Sequence, residues 1–147
     1  MANTTKIKTA IEPHVRNCLS KQFPGHVFKE KPIQLTTGGS YTFDAVAENA
    51  SIVAAILSNR AKTRTGRENT GGVRKALLEI GYLKAVPESV KKVMVFTDDD
   101  FYQLIRRRAS RLGTGPIQMM LCKLPPHLEA VLREILDKAS HEQRAAE

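Results

Sequence analysis

The chain has 147 residues, 41% of them hydrophobic, which is enough for one domain with a real core and too short for two comfortable ones. Twenty-three Lys and Arg against fifteen Asp and Glu leave a net charge of +8, a balance that favours anionic partners such as nucleic acid. Cys18 and Cys122 have no short spacing to each other or to a histidine, residues 1–8 carry no apolar leader core, and no apolar run nears the length of a membrane span. These features argue against a disulfide framework, a zinc knuckle and a membrane partner. A single cytoplasmic domain over residues 1–147, with two buried thiols, is expected.

In chain order, Ile7, Ile11, Val15 and Cys18 lie at helical spacing, but Pro13 would break an interior ladder, so the firm helix is expected to begin near Pro13 and to end by Gln22. Residues 26–35 read as a first strand with Pro32 at an edge or bend, and the 37–40 stretch Thr-Gly-Gly-Ser turns the chain. Residues 41–47 and 51–58 read as the next two strands, joined across Asn49 and Ala50 as a hairpin. Val73, Ala76, Leu77, Ile80 and Leu83 form one face of a helix capped by Asn69 or Thr70. Residues 91–96 return as a strand. Thr97 or Asp98 caps a helix with Phe101, Leu104, Ile105 and Leu112 on its apolar stripe, and 117–121 is the last strand. Pro125-Pro126 opens a closing helix that buries Leu128, Val131, Leu132, Ile135 and Leu136. The order is helix, three strands, helix, strand, helix, strand, helix. An α/β fold follows, with an antiparallel hairpin, parallel strands after it, and helices on both faces of a mixed sheet.

Asp44 stands out because it is a carboxylate in an otherwise apolar, small-residue strand, where it needs a partner. The hairpin register pairs Glu48 with Ser51 and Asp44 with Ala55, so a methyl group lies opposite the acid. Leu57 fills the diagonal position on the same face as Ala55.

A helix, a three-stranded meander with an acid in its second strand (Tyr41-Thr42-Phe43-Asp44-Ala45-Val46), then helix and strand, resembles the restriction-endonuclease-like PD-(D/E)xK nuclease superfamily over roughly residues 13–121. The helix start at Gly71-Gly72-Val73-Arg74-Lys75 and the strand end at Val95-Phe96-Thr97-Asp98 look like those of bacterial members. The resemblance implies an acid from the second meander strand, an acid-x-lysine from the third and often a glutamate from the first helix, together holding magnesium or manganese and a nucleophilic water. Asp44 matches the first acid, and Glu12 falls where the helix glutamate could. Ala55 stands where the second acid belongs and Leu57 where the lysine belongs, and both departures remove chemistry.

Each candidate also has a plain structural account. Asp44 is either a metal ligand or a hydrogen-bonded carboxylate at a sheet end. Glu48, a weaker metal candidate, sits at the hairpin tip where a solvated acid is ordinary. Glu12 has sufficient reason in the helix dipole. Arg60, Lys62, Arg64, Arg67, Arg74 and Lys75, relieved only by Glu68, are either an arm that grips a phosphate backbone or a solvated, disordered loop. Arg60 or Lys62 is also the candidate to replace the absent catalytic lysine. Asp98-Asp99-Asp100 reads as helix capping rather than metal binding, Arg106-Arg107-Arg108 with Arg111 as a solvated helix, and the four histidines show no ligand spacing. With 5% aromatic residues, a stacking platform for single strands has little support.

Three functions are expected from these residues. The first is a nucleic-acid-binding or complex-forming module with a degenerate nuclease site, duplex DNA being the favoured partner. The second is an active magnesium- or manganese-dependent phosphodiesterase rearranged around Asp44, Glu12 or Glu48, and Arg60 or Lys62. The third is a homodimeric structural protein whose charge serves solubility.

Overall fold

The computed structural model describes residues 7–146; residues 1–6 and Glu147, and with them most of the polar N-terminal stretch, lie outside the described residues. A π-helical turn over Ile7–Ile11 runs straight into α1 (Glu12–Gln22), followed by β1 (Phe28–Gln34), β2 (Ser40–Ala47), β3 (Ile52–Leu57), α2 (Thr70–Lys84), β4 (Lys91–Phe96), α3 (Asp99–Ser110), β5 (Gln118–Leu121) and α4 (Pro126–Ala146). The fold is α/β, in the expected order of elements. Pro13 falls in the first turn of α1, where a missing N–H breaks no ladder bond.

The five strands form one mixed sheet in the order β1-β2-β3-β4-β5. β1 and β3 each run antiparallel to β2, while β4 runs parallel to β3 and β5 parallel to β4. All six residues of β3 are buried because both of its faces are covered, which is why its sequence reads as an unbroken apolar run. On one face Val53, Ala55 and Leu57 pack with Met94 and Phe96 beneath Ala76 and Ile80 of α2 and Phe101 and Ile105 of α3. On the other, Ala54, Ile56, Val93 and Val95 pack beneath Ile11, Val15 and Leu19, with Leu132 of α4. β1 is an edge strand whose Lys29-Glu30-Lys31-Pro32 run faces solvent, and its charges and proline blunt edge-to-edge pairing.

Two local features position the site. In the β1–β2 ladder Lys29 pairs with Val46 and Lys31 with Phe43, two residues against three, so β2 carries a bulge at Asp44–Ala45 opposite Glu30. Phe43 and Val46 consequently share the face under α2 and α3, while Ala45 turns to the other face. The β2–β3 pairing Ala45↔Ala54 and Val46↔Val53 follows the expected register. The turn between these strands closes with Ala50 N–H donating to the Ala47 carbonyl at 2.8 Å, so its centre is Glu48–Asn49 and Ala50 follows in the left-handed region at φ 57°. This corrects the expectation that the strands join across Asn49 and Ala50 alone.

Candidate nucleic-acid interface and acid pocket

The bulge brings the Asp44 carboxylate to the seam where β2 and β3 part. Its Oδ2 accepts the Ile56 main-chain N–H at 2.9 Å, so the partner the acid needs is a backbone group of β3 and not a neighbouring side chain. Arg16 of α1 donates from Nε to the Asp44 carbonyl at 2.9 Å and sets its Nη2 3.8 Å from Glu12 Oε2. Glu12 is buried in the first turn of α1, where the helix dipole favours an acid. Asp44 and Glu12 therefore meet: with Lys75, Ser58 and Asn59 they line a cavity of about 80 Å³, closed by Ile7, Ile56 and Leu136.

Lys75 was expected only as a phosphate contact, yet it is the basic side chain that shares the cavity of Asp44. It comes from α2, a different element from β3, which spends Leu57 on the core. Lys62, proposed for that role, is exposed on the hairpin beyond and lines other cavities, and Arg60 lines those same cavities. Glu48 is exposed at the β2–β3 turn and lies outside the acid cavity. Ala55 and Leu57, where the resemblance would put an acid and a lysine, are both 0% exposed among apolar side chains and are core positions.

On the α2 side of the same seam lies a second acid that sequence reasoning missed. Glu79, one turn after Lys75, is 6% exposed; its Oε1 accepts the Tyr41 hydroxyl at 2.5 Å, and among the described residues its Oε2 has no hydrogen-bond partner. Burial raises the Glu79 pKa above the usual carboxylate range, the Tyr41 hydrogen bond and the Lys75 charge pull it back, and the Asp44 charge adds to the rise. Tyr41 is itself raised, first by burial and then by Glu79. Its ring stacks on Tyr82 at 3.8 Å and meets Phe43 edge-on at 4.9 Å. A signal existed: residue 79 lies one turn from both Ala76 and Leu83 of the apolar stripe, where an acid needs a buried donor. Arg16 gave no comparable signal.

The basic segment after β3 is a hairpin, not the disordered loop considered from composition. Lys62 and Glu68 pair antiparallel, Thr63 N–H donates to Arg67 O at 2.7 Å, Asn69 N–H to Ala61 O at 2.9 Å, and Gly66 makes the tight turn at φ +84°. Asn69 ties its base to α2: Oδ1 caps the helix by accepting Gly72 N–H at 3.0 Å, and Nδ2 donates to Arg60 O at 3.0 Å. Gly72 is required there, since a Cβ would fall 2.7 Å from Asn69 Nδ2 and 3.2 Å from Asn59 Cβ. Glu68, the acid within the basic run, is ion-paired with Arg108 of α3.

Clefts lie on both flanks of the hairpin. One, of about 320 Å³, is lined by Arg60, Lys62 and Arg64 with Asn69, Gly71 and Gly72, and holds a single carboxylate, Asp137. It meets the acid cavity at Asn59 and Leu136, which line both. The other, of about 610 Å³, sets Arg60, Lys62 and Arg107 against Glu68, Asp98 and Asp100. Arg67 is exposed near the tip of the hairpin and Arg74 on α2. Asp98 caps α3 by accepting Phe101 N–H at 2.9 Å, with Asp99 and Asp100 in its first turn, as the capping reading expects. Among the described residues no group of three or more His, Cys, Asp or Glu is placed to hold a metal ion, and no helix is long and apolar enough to cross a membrane.

No family model matches this chain, and no curated protein or solved structure matches it either.

Proposed function

We propose that this chain is a duplex-DNA-binding module of restriction-endonuclease-like topology whose nuclease site is degenerate. One observation carries the reading: an ordered hairpin bearing Arg64 and Arg67 rises from a cleft lined by Arg60 and Lys62, with Asp137 as the cleft's one carboxylate. Cations spaced along a cleft neutralise successive phosphates, release counterions and give affinity that falls steeply with salt. In this reading Asp44 belongs to the scaffold, because its carboxylate completes the backbone hydrogen bonding of β3. The test is fluorescence anisotropy of a labelled duplex against salt. Binding that weakens with salt, survives Asp44→Asn and is lost in Arg60→Glu/Lys62→Glu supports the proposal; no binding at low salt overturns it.

A second reading, hydrolysis of the bound phosphodiester, is favoured by Lys75, which stands in the cavity of Asp44 and Glu12. Magnesium or manganese there would have to be held by those two carboxylates. They do not fit it well: Asp44 Oδ2 is engaged by Ile56 N–H and Glu12 lies beside the Arg16 guanidinium, whereas a hard divalent ion needs several free oxygen ligands. Plasmid cleavage in magnesium or manganese that vanishes in both Asp44→Asn and Lys75→Met would establish this reading in place of the first.

A further inference from the structure

Resting on the duplex-DNA reading, we infer that the 61–69 hairpin enters the major groove and that Arg64 and Arg67 read guanine there. The hairpin is a two-stranded ribbon, held by the Lys62↔Glu68 bridge and the Thr63 N–H bond to Arg67 O. A ribbon of two strands fits the roughly 12 Å major groove of B-DNA and not the roughly 6 Å minor groove. The tip suits entry: between the two arginines stand only Thr65 and Gly66, small residues that leave a low profile. All the residues from Thr63 to Glu68 are exposed.

The charges are arranged for the same task. Glu68, which would repel phosphate, is held at the hairpin base by Arg108. Among the described residues Arg64 and Arg67 have no ion-pair partner, so their guanidinium forks are available to a ligand. A guanidinium fork matches the N7 and O6 acceptors that guanine presents in the major groove. Arg60, just before the ribbon, and Lys62, near its base, line the flanking cleft, which Arg64 also borders, and are positioned for phosphates, which fix register without reading sequence. The hairpin base is anchored to α2 by Asn69, so the tip is presented on a defined mount.

The experiment compares equal-length duplexes of G·C, A·T and I·C composition, with a G·C RNA duplex alongside, for the native chain and for Arg64→Ala/Arg67→Ala. Inosine keeps the major-groove face of guanine and removes the amino group from the minor groove, so it separates the two grooves. The expected result is tighter binding to G·C and I·C than to A·T by at least about fivefold, following from one bidentate contact. RNA should bind more weakly, because its deep, narrow major groove excludes a ribbon. The double variant, whose changes are exposed and should leave the melting temperature unchanged, should bind G·C and I·C no more tightly than A·T, so that the preference is lost. I·C that follows A·T, or equal binding to all the DNA duplexes, overturns the placement of the hairpin and leaves the DNA-binding proposal standing. Equal binding of RNA and DNA overturns the major-groove placement as well. Absence of binding to every duplex overturns both.

Discussion

Asp44 and Ile56 are joined by a 2.9 Å hydrogen bond from the main-chain N–H of β3 to a carboxylate oxygen of β2. It lies just beyond the Ala45↔Ala54 pair, where the β2–β3 ladder ends. Asp44→Ala would leave that N–H without an acceptor and should cost about 1–3 kcal/mol of stability. Asp44→Asn keeps an acceptor and should recover most of the loss. Urea unfolding of the two variants checks this, and DNA affinity at fixed salt should be the same for Asp44→Asn and the native chain.

Tyr41 and Glu79 give the stability a pH dependence of definite sign. Burial raises the folded-state pKa of Glu79 above its ordinary value of 4.5, so between the unfolded and folded titrations the native state holds the extra proton. Stability from this group is therefore greatest below the ordinary carboxylate range and declines as pH rises through it to the raised value. Glu79→Gln should flatten that decline and raise stability at neutral pH. Tyr41→Phe removes the hydrogen bond that holds the Glu79 pKa down, so the decline should extend to higher pH. Melting temperatures between pH 4 and 8 measure all three chains.

Ala50 occupies the left-handed region at φ 57°, after the turn that joins β2 to β3. A Cβ in that conformation is strained, while glycine adopts it freely and gives back part of the gain through a more disordered unfolded chain. Ala50→Gly should raise unfolding stability by up to about 1 kcal/mol, read as a shift of the urea midpoint at constant slope.

The fold was legible because its signals are repeated along each element. β3 is apolar on every residue and α2 carries its stripe from Val73 to Leu83, so the type and order of the elements followed from hydrophobic pattern together with the proline, glycine and cap signals at their ends. The bulge at Asp44–Ala45 was not legible: it is an offset between two strands, and the sequence of β2 carries no glycine or proline to mark it. Lys75 was hidden for a related reason. The meander pattern places a lysine on β3 or just after it, whereas proximity to Asp44 is created by the packing of α2 across the sheet. The hairpin at 61–69 has the composition of a loop, and its bridge depends on backbone bonds that composition does not report.

Cys18 and Cys122, far apart in sequence, are brought together between α1 and the segment after β5. Both pack in the same apolar cluster, with Cys122 buried and Cys18 half-buried. Burial, reinforced by a hydrogen bond with Cys18, pushes the Cys122 thiol up to about 12. The thiolate is the reactive form, so Cys122 should resist alkylation at pH 8 in the native chain. Timed iodoacetamide labelling with peptide mass mapping should find Cys18 modified first, and Cys122 modified at a comparable rate only after denaturation.

On the proposed DNA-binding reading, the cleft beside the hairpin should contribute to affinity differently from the rest of the basic surface. Arg60 and Lys62 line the cleft beside the hairpin, whereas Arg111 is exposed beyond the end of α3, and Arg106 is turned onto the Tyr102 ring at 5.3 Å. Each phosphate contact contributes about 0.9 to the slope of log affinity against log salt concentration. Lys62→Ala should lower that slope by about one phosphate's worth and weaken binding alike across DNA sequences, whereas Arg111→Ala should leave the slope unchanged. Equal losses from both substitutions would mean that affinity follows net charge alone, and the cleft would then have no special place in binding.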